Sequence, residues 1–262
     1  MPVDAALVGA LHVECLKKRN LGGVERPHHT LFQTSTIEAL LDGNYDGDVS
    51  FAELRDRGDF GLGTLDALDG EMVALDGGFY QVKADGRTYA IDGRTRTPFA
   101  VVTFFEPGLC QTIAASTDFA GLCAYVDRLV GETAACCAVR VDGRFGRVKT
   151  RSVPRQRKPY PPLVEVVKGQ RVFEFHDVLG SLVGFRFPDH ARGLNVPGYH
   201  LHFITDDRSA GGHVLGCRLA RGELRVDREA DLRLELPSGV GLPAPDQTST
   251  KSEALDRVER EG

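Results

Sequence analysis

Three histidines in the last third of the chain have the spacing of a metal site. His200 and His202 stand two residues apart in GYHLHFI, a segment typical of a β-strand. Because alternate residues of a strand point to the same face, both imidazoles can be directed at one point. His213 follows after ten intervening residues, enough for a loop that returns a neighbouring strand with a third imidazole. Three neutral imidazoles that leave a fourth coordination position open are typical of catalytic Zn²⁺.

Two other interpretations of these histidines stay open on the residues alone. A single histidine in such a strand is more often a packing residue than a metal ligand. Cupin-like metal enzymes of other specificity also carry a His-x-His pair on a strand. The spacing therefore predicts a metal and leaves the reaction open.

Strands are the elements predicted to position these side chains. Ser35–Glu38 and Ser50–Glu53 fit the capping box that starts a helix, and a third helix is predicted over 117–130. The sequence thus predicts an α+β fold with two strand-rich halves, mixed β-sheets and few helices. The predicted strands are 72–75, 79–82, 88–91, 99–105, 134–141, 145–153, 172–175, 181–187, 199–204, 213–219 and 232–236.

A proline-rich and basic segment, PRQRKPYPP at 154–162, marks the predicted domain boundary. The predicted divisions are an N-terminal extension (1–30), an N-terminal α+β domain (31–157) and a C-terminal zinc-binding, β-rich domain with a tail (158–262). GTL at 63–65 and GSL at 180–182 open comparable segments in the two halves. That similarity hints at a duplicated β-α-β motif.

The bulk composition narrows the class of protein. The formal net charge is −5, and the basic run between Arg144 and Lys158 carries no nucleic-acid-binding motif, so no nucleic-acid partner is predicted. No apolar run approaches the roughly 18 residues of a membrane span, so no membrane partner is predicted. The N-terminal segment lacks the order of a secretory signal, and the six cysteines show no metal or disulfide spacing. A cytoplasmic protein with reduced thiols is expected.

Several segments together, and in order, resemble one enzyme family. They include GDFGLGTL at 58–65, LDGEM at 68–72, PYPPL at 159–163 and the histidine block GYHLHFITDD followed by GGHVL at 198–215. These segments resemble the alpha-acetolactate decarboxylase family over about residues 31–236. The resemblance implies a carboxy-lyase that converts 2-acetolactate to acetoin and CO2 and forms a homodimer.

The resemblance also implies a set of site residues. The three histidines would hold zinc as a Lewis acid, with no organic cofactor, and Glu71 would face the metal. Arg151 matches the family's active-site arginine, and Glu259 is the best candidate for a C-terminal glutamate that completes the site. Proton transfer and substrate orientation are assigned to Glu71, Glu259 and Arg151 together, and either glutamate could touch the metal. From the residues alone, Glu71 would be a solvated turn residue and Glu259 part of a polar tail.

A second motif predicts a function of another class. Residues 42–53, DGNYDGDVSFAE, satisfy the EF-hand pattern and would make this an EF-hand-like calcium-binding protein. The loop is single, whereas EF-hands normally work in pairs. Phe51 and Leu54 are the only apolar anchors before Gly58 ends the second helix. The same segment also fits the decarboxylase resemblance, which is therefore preferred.

Overall fold

In the computed structural model the described residues are 12–16 (as backbone), 29–131, 135–241, 255, 258 and 259. Most of them form two large β-sheets. The strands of the first half are β1 (His12–Leu16), β2 (Thr30–Thr34), β3 (Val49–Ser50), β4 (Phe60–Thr64), β5 (Glu71–Leu75), β6 (Gly78–Val82), β7 (Thr88–Ala90), β8 (Arg96–Thr97) and β9 (Ala100–Thr103). The remaining strands are β10 (Leu109–Ile113), β11 (Thr117–Asp118), β12 (Cys136–Ser152), β13 (Arg171–Phe187), β14 (Gly198–Thr205), β15 (Gly211–Glu229) and β16 (Asp231–Glu235).

Four short α-helices accompany these strands within the described residues. They are α1 (Ile37–Leu41), α2 (Phe51–Arg55), α3 (Phe119–Val130) and α4 (Leu163–Val166). The predicted helix over 117–130 is confirmed as α3, whose Leu122, Val126 and Val130 are buried against the second sheet. None of the described helices has the length and apolar character that a membrane crossing requires.

The two capping predictions had different outcomes. Ser50 and Glu53 form the predicted capping box at the start of α2. The prediction for Ser35 was wrong by one residue, because Thr36 is the N-cap of α1 and accepts from Ala39 N–H. Ser35 instead has φ 64° and directly follows β2, where its N–H donates to the Glu235 carbonyl oxygen.

Sheet 1 has the strand order β1-β16-β2-β9-β4-β5-β6-β7. The β1–β16 and β16–β2 pairs are parallel and the others antiparallel, so this sheet is mixed. The predicted strands 72–75, 79–82 and 88–91 are confirmed as β5, β6 and β7, which pair in order as a meander. With its strand-rich, mixed sheets and few helices, the fold is α+β as predicted.

Sheet 2 contains β10, β15, β12, β13 and β14, with β11 paired to β15. Its four long strands form a closed ring of pairings, because β12 pairs β13, β13 pairs β14, β14 pairs β15 and β15 pairs β12. The prediction of two strands in 134–153 was wrong, because β12 runs unbroken through Gly143. A Cβ at Gly143 would lie 2.4 Å from the Arg221 carbonyl oxygen, so this glycine permits close strand approach and does not make a turn.

The two sheets pack against each other through β4 and β5 on one side and β13, β14 and β15 on the other. A buried apolar cluster from both sheets fills the interface, including Leu62, Val73 and Phe185. β12 and β13, on either side of residue 157, pair along their whole length in sheet 2. The three-part domain division and the duplication stay predictions. Most of the predicted extension 1–30 lies outside the described residues.

Candidate metal centre

The strand pairings of sheet 2 bring the three histidines together. His202 of β14 lies directly opposite His213 of β15, and Arg151 of β12 lies opposite His213 on its other side. His200 precedes His202 by two residues and therefore points to the same face. The ring centroids are 5.0–5.4 Å apart, and one nitrogen from each ring lies within 4.8 Å of the other two. All three side chains are buried.

The hydrogen bonds of the histidines leave ring nitrogens available. His202 Nδ1 is 2.8 Å from the Met72 carbonyl oxygen, which only accepts, so this nitrogen carries the proton. His202 Nε2 and His200 Nδ1 are buried and have no hydrogen-bond partner. His213 Nδ1 lies 3.2 Å from His200 Nε2. A buried nitrogen without a partner costs about 1–3 kcal/mol, a cost that a bound cation would remove.

The charge state of the histidines also suits a cation. Burial, with a smaller contribution from Arg151, lowers the pKa of His200 to about 3. Burial likewise holds the pKa values of His202 and His213 well below the ordinary range. All three imidazoles are therefore neutral at physiological pH, which is the form that binds metals. The donor set, its burial and the unpartnered nitrogens fit a divalent metal such as zinc.

Glu71 and Arg151 face the histidines from opposite sheets. Glu71 is the first residue of β5, and its Oε2 is 3.6 Å from His202 Nε2. Its Oε1 lies 3.8 Å from Nη1 of Arg151, which stands near the end of β12. Burial raises the pKa of Glu71 to about 7, the nearby Arg151 opposes that rise, and Glu259 adds to it. Arg151 is itself buried, and its Nε has no hydrogen-bond partner.

The turn that precedes Glu71 is held in a strained conformation. Ala67 and Leu68 have φ values of 58° and 53°, which non-glycine residues rarely adopt. Gly70 follows with φ 88°, and a Cβ there would lie 2.3 Å from the Val82 carbonyl oxygen. The Gln156 N–H donates to Ala67 O across 2.8 Å and helps hold the turn. No residue pattern predicted this strain, although LDGE falls within a segment that carried the resemblance.

Glu259 completes the group from the C-terminal end of the chain. Its Oε2 lies 3.5 Å from His213 Nε2 and 3.8 Å from His200 Nε2, and its backbone oxygen is 3.3 Å from His213 Nε2. The neighbouring described residues, Leu255 and Val258, are buried in the apolar cluster between the sheets. These three positions of the tail are therefore packed against the body of the protein.

The six predicted site residues line one cavity of about 40 Å³. Sequence reasoning did not single out Thr64, which also lines the cavity and whose hydroxyl donates to the Gly70 carbonyl oxygen. The rest of the wall is mainly apolar, with Ile37, Leu40, Leu68, Phe99, Val153, Leu163 and Val258.

The EF-hand-like segment does not gather its acidic residues around a point. The Glu53 carboxylate caps α2, accepting from the N–H and the hydroxyl of Ser50. Asp46 accepts from Lys158 and Tyr160 on the surface. Within the part of the chain that the structure describes, the three histidines form the only group of His, Cys, Asp or Glu with the arrangement of a metal site.

Comparison with known proteins connects this site with one family. A sequence model described as "Alpha-acetolactate decarboxylase" matches residues 31–241. Alpha-acetolactate decarboxylase of Methanosarcina mazei is 46% identical over 230 residues, which are 88% of this chain and 80% of the relative. That of Methylococcus capsulatus is 41% identical and covers 99% of this chain and 100% of its own length. The crystal structure of the Bacillus subtilis alpha-acetolactate decarboxylase superposes with a TM-score of 0.84 at 37% identity, over 88% of this chain and 100% of that one.

Proposed function

The chain belongs to the alpha-acetolactate decarboxylase family, and we propose that it converts 2-acetolactate to acetoin and CO2 with zinc held by His200, His202 and His213. The observation that carries the proposal is the cluster of three buried, neutral imidazoles that faces two glutamates and an arginine in a small cavity. Zinc bound there would act as a Lewis acid. It would stabilise the negative charge that remains on the substrate when CO2 leaves.

Arg151 is proposed to bind and orient the substrate carboxylate. Its guanidinium is buried, and its Nε has no hydrogen-bond partner, so the group has donors to offer a ligand. A guanidinium can bind a carboxylate through two parallel hydrogen bonds, which fixes both its distance and its angle. When the carboxylate is held in this way, the bond that joins it to C2 has one defined orientation in the site.

Glu71 and Glu259 are proposed to manage the proton that the reaction requires. Replacement of the carboxylate by hydrogen at C2 consumes one proton, so the site needs a group that holds one near neutral pH. The pKa of about 7 for Glu71, raised mainly by burial, supports its role as that group. Glu259 lies on the other side of the histidines and is the alternative donor. The apolar cavity wall and the buried tail residues would keep bulk water from the reacting carbon.

Three further statements are proposed, the first from the family resemblance and the other two from the composition. The chain acts as a homodimer, it works in the cytoplasm, and it has no nucleic-acid partner. The net charge of −5 supports the last of these. Size-exclusion chromatography with light scattering tests the dimer: a mass near 57 kDa, twice the chain mass of 28.5 kDa, is expected, and a mass equal to that of one chain would contradict it.

The activity is tested by incubating purified protein with 2-acetolactate and measuring acetoin and CO2 in equal amounts. A parallel titration with micromolar calcium distinguishes the EF-hand-like alternative for residues 42–53. The proposal expects acetoin formation and no calcium binding at that segment. Protein that binds calcium there and forms no acetoin would support the alternative and overturn the proposal.

A further inference from the structure

Arg151 and Glu71 belong to different sheets, so their separation depends on how the sheets are aligned. Arg151 stands in β12 of sheet 2, and Glu71 begins β5 of sheet 1. Their charged atoms approach to 3.8 Å inside the cavity. Displacement of a reacting group by about 1 Å can cost a hundredfold in rate, so the alignment of the two sheets matters for catalysis.

Ser152 makes a direct link between the sheets at this point. It follows Arg151 in β12, and its side chain is fully buried. Its hydroxyl donates to the Val82 carbonyl oxygen across 2.8 Å. Val82, in β6, is the residue paired with Glu71 in sheet 1. One buried hydrogen bond therefore joins the neighbour of Arg151 to the strand partner of Glu71.

The other side chains that flank Arg151 in sequence do not make such a buried link, although His202 Nδ1 also joins sheet 2 to the Met72 carbonyl oxygen of sheet 1. Thr150, on the other side of Arg151, donates to Gly211 within sheet 2 and does not reach sheet 1. Arg155 pairs with Asp66 and Asp69 of the strained turn, but its side chain is 56% exposed and such pairs contribute little. The buried Ser152 bond is not weakened by solvent, and its loss would leave the Val82 carbonyl without that donor.

We propose that Ser152 is a positioning residue, whose hydroxyl fixes sheet 2 on sheet 1 so that Arg151 is held at its working distance from Glu71. The inference rests on the proposed decarboxylase function, and it assigns Ser152 no contact with the substrate or the metal. It acts through the alignment of the two strands that carry the charged groups.

The test compares Ser152→Ala with Ser181→Ala. Ser181 is also buried, but it donates to Asp142 within sheet 2, away from the junction. Ser152→Ala should lower kcat/KM at least tenfold while zinc content stays that of the wild type, and Ser181→Ala should change kcat/KM less than twofold. Ser152→Thr, which keeps the hydroxyl, should retain more activity than Ser152→Ala. Equal activities of the two alanine variants would overturn the inference.

A double-mutant cycle separates positioning from general weakening of the fold. In an Arg151→Lys background, Ser152→Ala should cost less than twofold, because the arrangement that it maintains is already lost. A full tenfold loss in both backgrounds would show that Ser152 does not act through Arg151. If Ser152→Ala does not fold, Ser152→Cys, which keeps the size and weakens the donor, is measured by the same criteria. Wild-type protein without acetoin formation would instead contradict the proposed function itself.

Discussion

Replacement of Arg151 by lysine tests the proposed carboxylate-binding role. Lysine keeps the positive charge that faces Glu71 at 3.8 Å, but it loses the planar, two-pronged donor. Arg151 is only 4% exposed, so water cannot take the place of a lost hydrogen bond. Loss of one hydrogen bond to a charged partner costs about 1.5–3 kcal/mol. That cost corresponds to a roughly 10- to 150-fold decrease in kcat/KM for acetolactate.

The assay is initial-rate acetoin formation over a range of acetolactate concentrations, with zinc content measured on the same samples. Arg157→Lys is the matched control, because Arg157 is exposed and has no hydrogen bond or ion pair to any described residue. Arg155 would be a poorer control, since it pairs with the turn that precedes Glu71. Equal effects of the two substitutions, or loss of zinc in Arg151→Lys, would refute the assignment.

Three other substitutions have defined outcomes. Glu259→Gln should lower turnover by about 100-fold, which is the contribution of a positioned acid–base group, whereas Glu261→Gln should leave turnover unchanged. Equal turnover of the two variants would show that Glu259 does not belong to the site. Gly70→Ala should destabilise the fold by more than about 1 kcal/mol in denaturant unfolding, because φ is 88° and the added Cβ meets a carbonyl. Burial, together with Asp227, holds the pKa of Glu229 well above its ordinary value. The native state therefore keeps a proton that the unfolded state releases above about pH 4.5, so stability from this group falls as pH rises. Glu229→Gln should flatten that decline in Tm between pH 5 and 8, and an unchanged slope would contradict the burial argument.

The histidine cluster could be predicted from the residues because it depends on strand periodicity. His200 and His202 share a face by the two-residue repeat, and only the return of His213 required an assumption about the loop. The α+β class and the helix α3 could likewise be predicted from local sequence patterns. These features depend on residues that are close in sequence.

The rest of the site depends on contacts between distant segments. Glu71 and Arg151 are eighty residues apart in the chain and meet because two sheets pack together. From composition alone, Glu71 would be predicted in a solvated turn and Arg151 on a solvated strand edge. Only the family resemblance assigned them to the site. Ser152 gave no signal at all, since a serine near a strand end is common and its partner is a backbone carbonyl.

Local sequence patterns also led to two wrong predictions, one at Gly143 and one at Ser35. Gly143 resembles a turn residue between two strands, but it permits close packing within one long strand. Ser35 resembles an N-cap, but its N–H donates to the Glu235 carbonyl oxygen of a distant strand, and Thr36 is the N-cap instead. In both cases a long-range strand contact decided between two locally acceptable structures.

The central claim is that zinc held by three histidines is required for acetolactate decarboxylation. Metal content and acetoin formation should be measured together on the wild type, on His202→Ala and on His176→Ala. His176 is an exposed histidine of β13 that pairs with Glu174 and serves as the control. The wild type and His176→Ala should each contain one zinc per chain and be active, whereas His202→Ala should lose both metal and activity. Metal-free protein that forms acetoin at the wild-type rate would contradict the claim.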